Sequence, residues 1–276
     1  MNEPRVYKHS VMLNVIVLLF AGLILLGVLF SGYMTEPVVL ASLGIFLVVV
    51  IPMMIFNLTQ QTIVSEDEIS SQNIFGLKTL RWSEINRVSG RGNAIKLHNA
   101  DGDVTVSLSP RLPGYEEVIE VIGKKRVDLF NAQDYSVMTR GLGGLLSTIL
   151  AVLFLCGAVL GLGAIIYESS ASITEIIIPL LIVGVMILVG FGMTLSRPTS
   201  LTLNGNSLKI KYLFGQKNLS ADEIQNVNFA YRQTRNGKIY FIALYLGGSK
   251  SVRISGIGPS LPIVYLVLKN WQQQGR

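Results

Sequence analysis

Four long apolar stretches without a charged side chain constrain the fold of this chain more than any other feature. They cover residues 11–30, 38–56, 141–167 and 176–195. A hydrocarbon core about 30 Å thick is crossed by roughly 20 apolar residues of helix, so each stretch is long enough. Only 14% of the residues are charged, against about 25% in a typical soluble domain. The pattern predicts an integral membrane protein with four transmembrane helices.

The short links between the stretches predict how the helices are arranged. Residues 31–37 join the first pair and residues 168–175 join the second, so each pair should form an antiparallel hairpin. All 23 lysines and arginines lie outside the four stretches and the two links. Because positive residues are retained on the cytoplasmic side, we expect a multi-pass cell (inner or plasma) membrane protein. Its topology should be N-in and C-in, with both remaining segments cytoplasmic.

A cleaved signal peptide is the competing interpretation of the first stretch. The apolar core of such a peptide usually has about 7–15 residues, whereas this stretch has 20. A transmembrane helix is therefore favoured.

An internal repeat organises the rest of the chain. With an offset of 139, residues 74–88 align with residues 213–227, and seven of the fifteen positions are identical. A Pro-x-Leu-Pro motif at residues 110–113 recurs at residues 259–262, an offset of 149. The second copy is thus ten residues longer, most simply in a hairpin around residues 232–238. We expect a unit of one helical hairpin and one soluble domain, present twice.

The spans and the repeat together predict four segments. The N-terminal tail and the first helical hairpin cover residues 1–56, and the first soluble domain covers residues 57–134. The second helical hairpin covers residues 135–196, and the second soluble domain covers residues 197–276.

Each soluble domain is predicted to consist of short strands followed by one helix. Asp101-Gly102 and Asn204-Gly205 are strong two-residue turn signals between segments of alternating polarity. Apolar residues recur at helical spacing from Tyr115 and again from Leu261. Ser260 is the predicted N-cap of the second helix.

These features resemble the bacterial PH-like (pleckstrin-homology-like) domain membrane proteins in a tandem two-copy arrangement. The resemblance rests on the Phe-Gly-x-Lys-x-Leu hairpin at residues 75–80 and 214–219, the Ser-Glu-Ile or Asp-Glu-Ile turn that follows, and the C-terminal helix. It implies an α+β membrane protein in which each soluble domain is a seven-strand β-sandwich or partly open barrel with a C-terminal helix. It implies little about function, since that family is mostly uncharacterised and one fold hosts many functions.

No motif in the sequence predicts catalysis. His98 is expected in a strand and His9 near the first span, and no nucleophile motif accompanies either. One cysteine and two histidines cannot build a zinc site. Glu66-Asp67-Glu68 is expected to be a solvated acidic turn, because the other ligands of a calcium loop are missing. We therefore predict no enzyme, cofactor, metal or small-molecule substrate, and no nucleic-acid partner.

Polar and small residues inside the predicted spans are candidates for helix packing. Asn14 is the strongly polar residue of the first stretch, and Gly157 and Gly161 form a GxxxG pattern. The spans hold no charge, which weakens the case for an ion or proton path. Packing within the four-helix unit is favoured, and a partner-binding face is the alternative.

The two soluble domains differ strongly in charge. Residues 57–139 carry a net charge of −2, whereas residues 196–276 carry +9. Cations close to a membrane surface are attracted to anionic headgroups by about 1 kcal/mol each. The candidate anionic-lipid contacts are Arg197, Lys209, Lys211, Lys217, Arg232, Arg235 and Lys238. A contribution to solubility alone is the open alternative.

The sequence thus favours a non-enzymatic membrane protein that presents two cytoplasmic PH-like domains as a binding or scaffold module. Such a protein would assemble or regulate a membrane complex. Its expected partners are membrane lipids and either another protein or a second copy of the chain. Two alternatives stay open: a small transporter or channel accessory subunit, and an anionic-lipid sensor that acts through the basic second domain.

Overall fold

The computed structural model describes residues 4–8, 60–141 and 197–276, except 75, 236 and 249, together with isolated positions between these ranges.

The chain divides into two compact units. The first comprises Met1–Val88 and Ile95–Lys125, and the second comprises Ser89–Ala94 and Arg126–Arg276. Residues 126–134, which the sequence assigns to the first soluble domain, thus belong to the second unit.

The predicted four-helix membrane architecture is wrong. The described chain is mostly β-sheet, and its two longer helices are α1 (Tyr115–Lys125) and α2 (Leu261–Gln274). Among the described residues, no helix has both the length and the apolar character needed to cross a membrane. This finding contradicts the predicted fold class of an α+β membrane protein with four transmembrane helices, the membrane keywords and the multi-pass, N-in and C-in localisation in the cell membrane.

The prediction failed because it rested on length and hydropathy alone. An apolar run of about 20 residues permits a membrane-spanning helix, but composition does not establish one. Apart from isolated positions, the four stretches at residues 11–30, 38–56, 141–167 and 176–195 lie outside the described residues.

The first unit contains two antiparallel sheets and α1. A four-stranded sheet has the order β1-β2-β3-β4, and a three-stranded sheet has the order β5-β6-β7. The strands are β1 (Arg5–Lys8), β2 (Gln61–Val64), β3 (Glu68–Asn73), β4 (Gly76–Arg81), β5 (Arg87–Ser89), β6 (Ile95–His98) and β7 (Thr105–Leu108). β1 was not predicted from the sequence, and residues 9–60 separate it from β2, its partner.

The second unit repeats this arrangement. A four-stranded sheet has the order β11-β10-β9-β8, and a three-stranded sheet has the order β12-β13-β14, followed by α2. The strands are β8 (Val137–Thr139), β9 (Ser200–Asn204), β10 (Ser207–Lys211), β11 (Gln216–Ser220), β12 (Ile224–Thr234), β13 (Gly237–Leu246) and β14 (Ser251–Ile254). β8 pairs with β9 across the intervening residues 140–199, just as β1 pairs with β2.

The predicted helices agree with the structure, and the predicted turns agree in position but not in detail. Asn204 pairs with Ser207, so the two residues of the turn between β9 and β10 are Gly205 and Asn206. Asp101-Gly102 lies within the six-residue connection between β6 and β7. α1 buries one face, and its buried residues are Tyr115, Val118, Ile119 and Ile122. α2 is buried over most of its surface and packs against β12 and β13. Ser260 occupies the N-cap position of α2, but its side chain makes no capping hydrogen bond.

The identical residues of the repeat have the same structural roles in both units. Gly76 and Gly215 have φ values of +127° and +112°, a conformation that side-chain-bearing residues rarely adopt. Leu80 and Leu219 are both buried, at 1% and 5% exposure. The aligned positions therefore reflect equivalent backbone and core positions.

The turn that follows β4 in the first unit and the turn that follows β11 in the second are closed by the same kind of hydrogen bond. The Glu84 carboxylate accepts a hydrogen bond from the Arg81 N–H, and the Glu223 carboxylate accepts one from the Ser220 N–H, both at 3.1 Å. The isoleucine that follows each glutamate is fully buried. A short polar turn thus leads directly into the core of each unit.

Candidate functional site

The long hairpin β12–β13 distinguishes the second unit from the first. β12 and β13 have 11 and 10 residues, whereas β5 and β6, which follow the equivalent turn in the first unit, have three and four. The tip of this hairpin coincides with the predicted insertion around residues 232–238. Hereafter residues 230–239 are called the arm.

The sequence explains why the arm is part of a continuous hairpin. β12 and β13 pair in a regular antiparallel register from Asn226 and Tyr245 to Thr234 and Gly237. Oγ1 of Thr234 donates to the carbonyl oxygen of Gly237 at 2.7 Å and fastens the turn. β-Branched and aromatic residues on both strands suit this extended conformation.

An aromatic cluster anchors the base of the arm. The rings of Phe229 and Tyr240 stack with centroids 5.0 Å apart, and Phe229 also lies 5.5 Å from Tyr265 on α2. Tyr231 contacts Tyr240 at 5.8 Å, and Nζ of Lys238 lies 3.9 Å from the centre of the Tyr231 ring. Such contacts contribute about 0.5–1.5 kcal/mol each beyond simple burial. They hold the arm against α2 at its base.

The outer part of the arm projects from the core. Tyr231 and Ile239 are 45% and 57% exposed, whereas Ile242 and Leu244 nearer the base are fully buried. Residues directly opposite each other in a sheet share one face, so Tyr231, Lys238 and Tyr240 lie on one face, and Arg232 and Ile239 lie on the other. Each face of the arm therefore combines a cation with an apolar side chain.

One long edge of β12 is only partly covered. β12 is the terminal strand of its sheet, and among the described strands it pairs with β13 alone. At its beginning, the carbonyl oxygen of Ile224 accepts hydrogen bonds from Nε2 of Gln272 (2.8 Å) and Nη2 of Arg276 (2.7 Å). Arg276 also donates to the carbonyl oxygen of Gln225 at 2.8 Å. For residues 230–234, no described residue outside the hairpin makes such a bond.

The charge of this edge is entirely positive. Residues 224–246 contain Arg232, Arg235 and Lys238 but no aspartate or glutamate. Arg232 and Arg235 are exposed, and within the described ranges neither makes a salt bridge. The arm thus presents an unpaired strand edge in a positive field.

The predicted anionic-lipid contacts do not share one face. Lys209 and Lys211 alternate on the exposed face of β10, whereas Lys217 lies opposite Ile210 and therefore on the other face of that sheet. Arg232, Arg235 and Lys238 belong to the arm. The structure thus places Arg232, Arg235 and Lys238 together on the arm, and Lys209 and Lys211 together on β10. Lipid contact by any of the predicted residues stays a prediction.

Arg197 lies close to Arg140. Burial lowers the pKa of Arg140, and the charge of Arg197 lowers it further. Two guanidinium groups near each other create a second positive position in the unit, outside the arm.

The candidate helix-packing residues are only partly described. Asn14 lies outside the described residues. Gly157 and Gly161 are helical and exposed, and a Cβ atom built at either would meet no described atom within 4 Å. Their role in packing stays a prediction.

The acidic turn Glu66-Asp67-Glu68 is exposed, or nearly so, between β2 and β3. The Ser65 hydroxyl and the Glu68 N–H close this turn with a 3.1 Å hydrogen bond, and Nζ of Lys125 donates to the carbonyl oxygen of Glu66 at 2.9 Å. Across the described part of the chain, no group of three or more His, Cys, Asp or Glu side chains could hold a metal ion.

The environment of His98 predicts a measurable pH dependence. Its Nδ1 lies 3.0 Å from Oγ1 of Thr105. Burial lowers the pKa of His98 below its ordinary value of 6.5, and the charges of Arg87 and Lys96 lower it further. Because the unfolded state then binds the proton more readily, stability should decrease as the pH falls through 6.5.

We expect an NMR titration of the His98 ring to have its midpoint below 6.5. The variant His98→Gln should lose the corresponding part of the stability change between pH 7 and pH 5. A midpoint at or above 6.5 would contradict the prediction.

Sequence reasoning identified the extra length of the arm but not its exposed edge. The cluster of Phe229, Tyr240 and Tyr265 depends on α2 meeting β12, a contact between residues far apart in the chain. The sequence has no acidic residue after Glu223, so the hairpin 224–246 carries three cations and no carboxylate, and this is the signal that could have indicated the site.

Comparison with known proteins gives no relative: no family model matches the chain, and no curated protein matches it. The resemblance to PH-like domains therefore stays a prediction.

Proposed function

We propose that this protein is a non-enzymatic binding module that helps to assemble or regulate a multiprotein complex. In this proposal the arm binds an extended, acidic segment of a protein partner, which adds to the sheet as a new strand beside β12. The observation that carries the proposal is the uncovered edge of residues 230–234 in a hairpin with three cations and no acidic residue.

Strand addition uses two kinds of interaction. Main-chain hydrogen bonds along the edge give affinity, and side chains that alternate between the two faces give selectivity. An edge strand has unpaired N–H and C=O groups on its outer side, and each net hydrogen bond is worth about 0.5–1.5 kcal/mol.

Charge would select the partner segment and speed its approach. Complementary potentials raise association rates and disfavour partners of like charge. Arg232 and Arg235 are exposed beside the edge, so carboxylates that flank an extended peptide would lie near them. A basic or strongly helical segment would be a poor ligand.

The first experiment tests the strand-addition mode with the full chain. The probe is a fluorescent ten-residue peptide of alternating Glu and Val, and the matched control carries N-methyl groups at alternate amides. N-methylation removes backbone donors while it preserves charge. We expect the control to bind at least about tenfold more weakly. Equal binding of the two peptides would contradict strand addition.

The second experiment tests whether the arm is the site. In the double variant Arg232→Glu/Arg235→Glu, binding of the acidic peptide should fall by at least about tenfold because attraction becomes repulsion. The matched control is Lys209→Glu/Lys211→Glu, which makes the same change in net charge on the exposed face of β10. Equal losses in the two variants would indicate a general effect of net charge and contradict a site on the arm.

A further inference from the structure

A cleft in the second unit, separate from the arm, has an unusual chemical lining. It lies between the turn that joins β9 and β10, the segment before β8, and the end of α2, and it has a volume of about 610 Å³. Its polar side chains are Asn131, Gln133, Ser136, Asn204, Asn206 and Gln274. None of the described residues that line it is charged.

Fixed contacts give the cleft its shape. Nε1 of Trp271, which is 4% exposed, donates to the carbonyl oxygen of Gly205 at 2.6 Å and ties the turn to α2. Asn206 donates through Nδ2 to the Asp222 carboxylate at 3.3 Å. A Cβ atom at Gly275 would clash with the Asn206 side chain, so a glycine at this position allows the end of α2 to approach the turn closely.

Several polar groups of the lining retain hydrogen-bonding capacity. Asn131 uses Oδ1 to accept the Gln133 N–H at 3.2 Å, and its Nδ2 can still donate. Gln274 donates through Nε2 to Asn270 at 3.3 Å, and its Oε1 can still accept. The exposed side-chain amides of Gln133 and Asn204 each offer both a donor and an acceptor.

This combination fits a particular ligand chemistry. A hydroxyl group donates one hydrogen bond and accepts others, so it matches an amide that also does both. Among the lining residues that the structure describes, a phosphate or carboxylate would find no cation, and an ammonium group would find no carboxylate. A volume of this size accommodates a small ligand.

A cleft at the equivalent turn of the first unit is lined by charged side chains. It lies at the equivalent turn, where Lys125 bonds to the carbonyl oxygen of Glu66, and it has a volume of about 730 Å³. Its lining includes three carboxylates together with Arg81 and Lys125. The two clefts share the turn between the second and third strands and the end of the helix, and these described parts of the lining are charged in the first unit and uncharged in the second.

We propose that the uncharged cleft of the second unit binds a neutral carbohydrate, held by hydrogen bonds from amide side chains to its hydroxyl groups. The site shares no residue with the arm and does not depend on the proposed protein partner.

Saturation-transfer difference NMR on the full chain tests this proposal. The probes are cellobiose and maltose at about 10 mM, a concentration suited to millimolar affinity, and glucuronate is the charged comparison. We expect saturation transfer to at least one disaccharide and at least about fivefold weaker transfer to glucuronate. No transfer to either disaccharide, or equal transfer to glucuronate, would overturn the proposal.

Variants locate the binding. Gln133→Ala should weaken disaccharide binding about fivefold, the usual effect of one lost hydrogen bond, and Asn204→Ala should act similarly. The matched control is Asn218→Ala, which removes an exposed amide from β11 outside the cleft. If Asn204→Ala disturbs the turn, the result for Gln133→Ala decides whether the cleft binds the disaccharide, because Gln133 lies outside the strands. Unchanged binding by Gln133→Ala, or an equal loss in Asn218→Ala, would refute the assignment.

Discussion

Replacement of Trp271 by alanine should destabilise the protein by about 3–5 kcal/mol from the lost packing alone. The indole is 4% exposed, and its N–H bonds to the Gly205 carbonyl oxygen at 2.6 Å. Loss of this bond would add about 0.5–1.5 kcal/mol. Urea unfolding followed by far-UV circular dichroism measures the change in the free energy of unfolding.

Two further variants separate packing from hydrogen bonding. Trp271→Phe keeps an aromatic ring but loses the donor, so it should cost clearly less than Trp271→Ala. Lys125→Ala removes the exposed donor that bonds to the equivalent turn of the first unit, and a loss below about 1 kcal/mol is expected. A loss below about 1 kcal/mol for Trp271→Ala would contradict the role assigned to this side chain.

Truncation of the buried isoleucine that follows the turn glutamate in each unit should also cause a large loss in the free energy of unfolding. Ile85 and Ile224 occupy matching positions of the repeat, and both are fully buried. Ile85→Ala and Ile224→Ala should each destabilise the protein by about 2–5 kcal/mol through lost burial and the cavity that remains. Hydrogen exchange measured by mass spectrometry should show faster exchange in the first unit for Ile85→Ala and in the second unit for Ile224→Ala, including β12, which begins at Ile224.

The repeat supplies a control pair for this comparison. Lys78 and Lys217 also align and are exposed on β4 and β11. Lys78→Ala and Lys217→Ala should change stability by less than about 0.5 kcal/mol. If either isoleucine variant behaved like the lysine variants, the equivalence of the two cores would be refuted.

The parts of the fold that could be predicted depend on neighbouring residues. Asn204-Gly205 and Asp101-Gly102 mark the positions of turns through their own backbone preferences. The helical spacing from Tyr115 reports a buried face within a single element. The repeat could also be recognised in the sequence, because positions that strongly constrain a hairpin and its core, such as Gly76 and Leu80, carry the same residue in both copies.

The parts that could not be predicted depend on residues far apart. β1 and β8 have four and three residues and pair with strands that lie beyond long intervening segments. Nothing within such short sequences indicates a partner. The uncharged cleft likewise combines three segments, two of which, residues 131–136 and 203–206, are separated by the second pair of apolar stretches.

The membrane prediction was wrong because it, too, depended on local features of the sequence. Apolar length predicted the helices, and the distribution of lysine and arginine then predicted their orientation and location, so each later step depended on the first. The described residues are mostly β-sheet, and none of their helices has the length and apolar character needed to cross a membrane.

The placement of β1 and β8 has a consequence for the order in which the protein forms on the ribosome. β1 is synthesised before residues 9–60, and only then does β2 become available. β2–β3 and β3–β4 can close as soon as they emerge, since only a few residues join their strands. Pairings between residues distant in the chain form slowly. In each four-stranded sheet, the strand that is made first should therefore be the last to join.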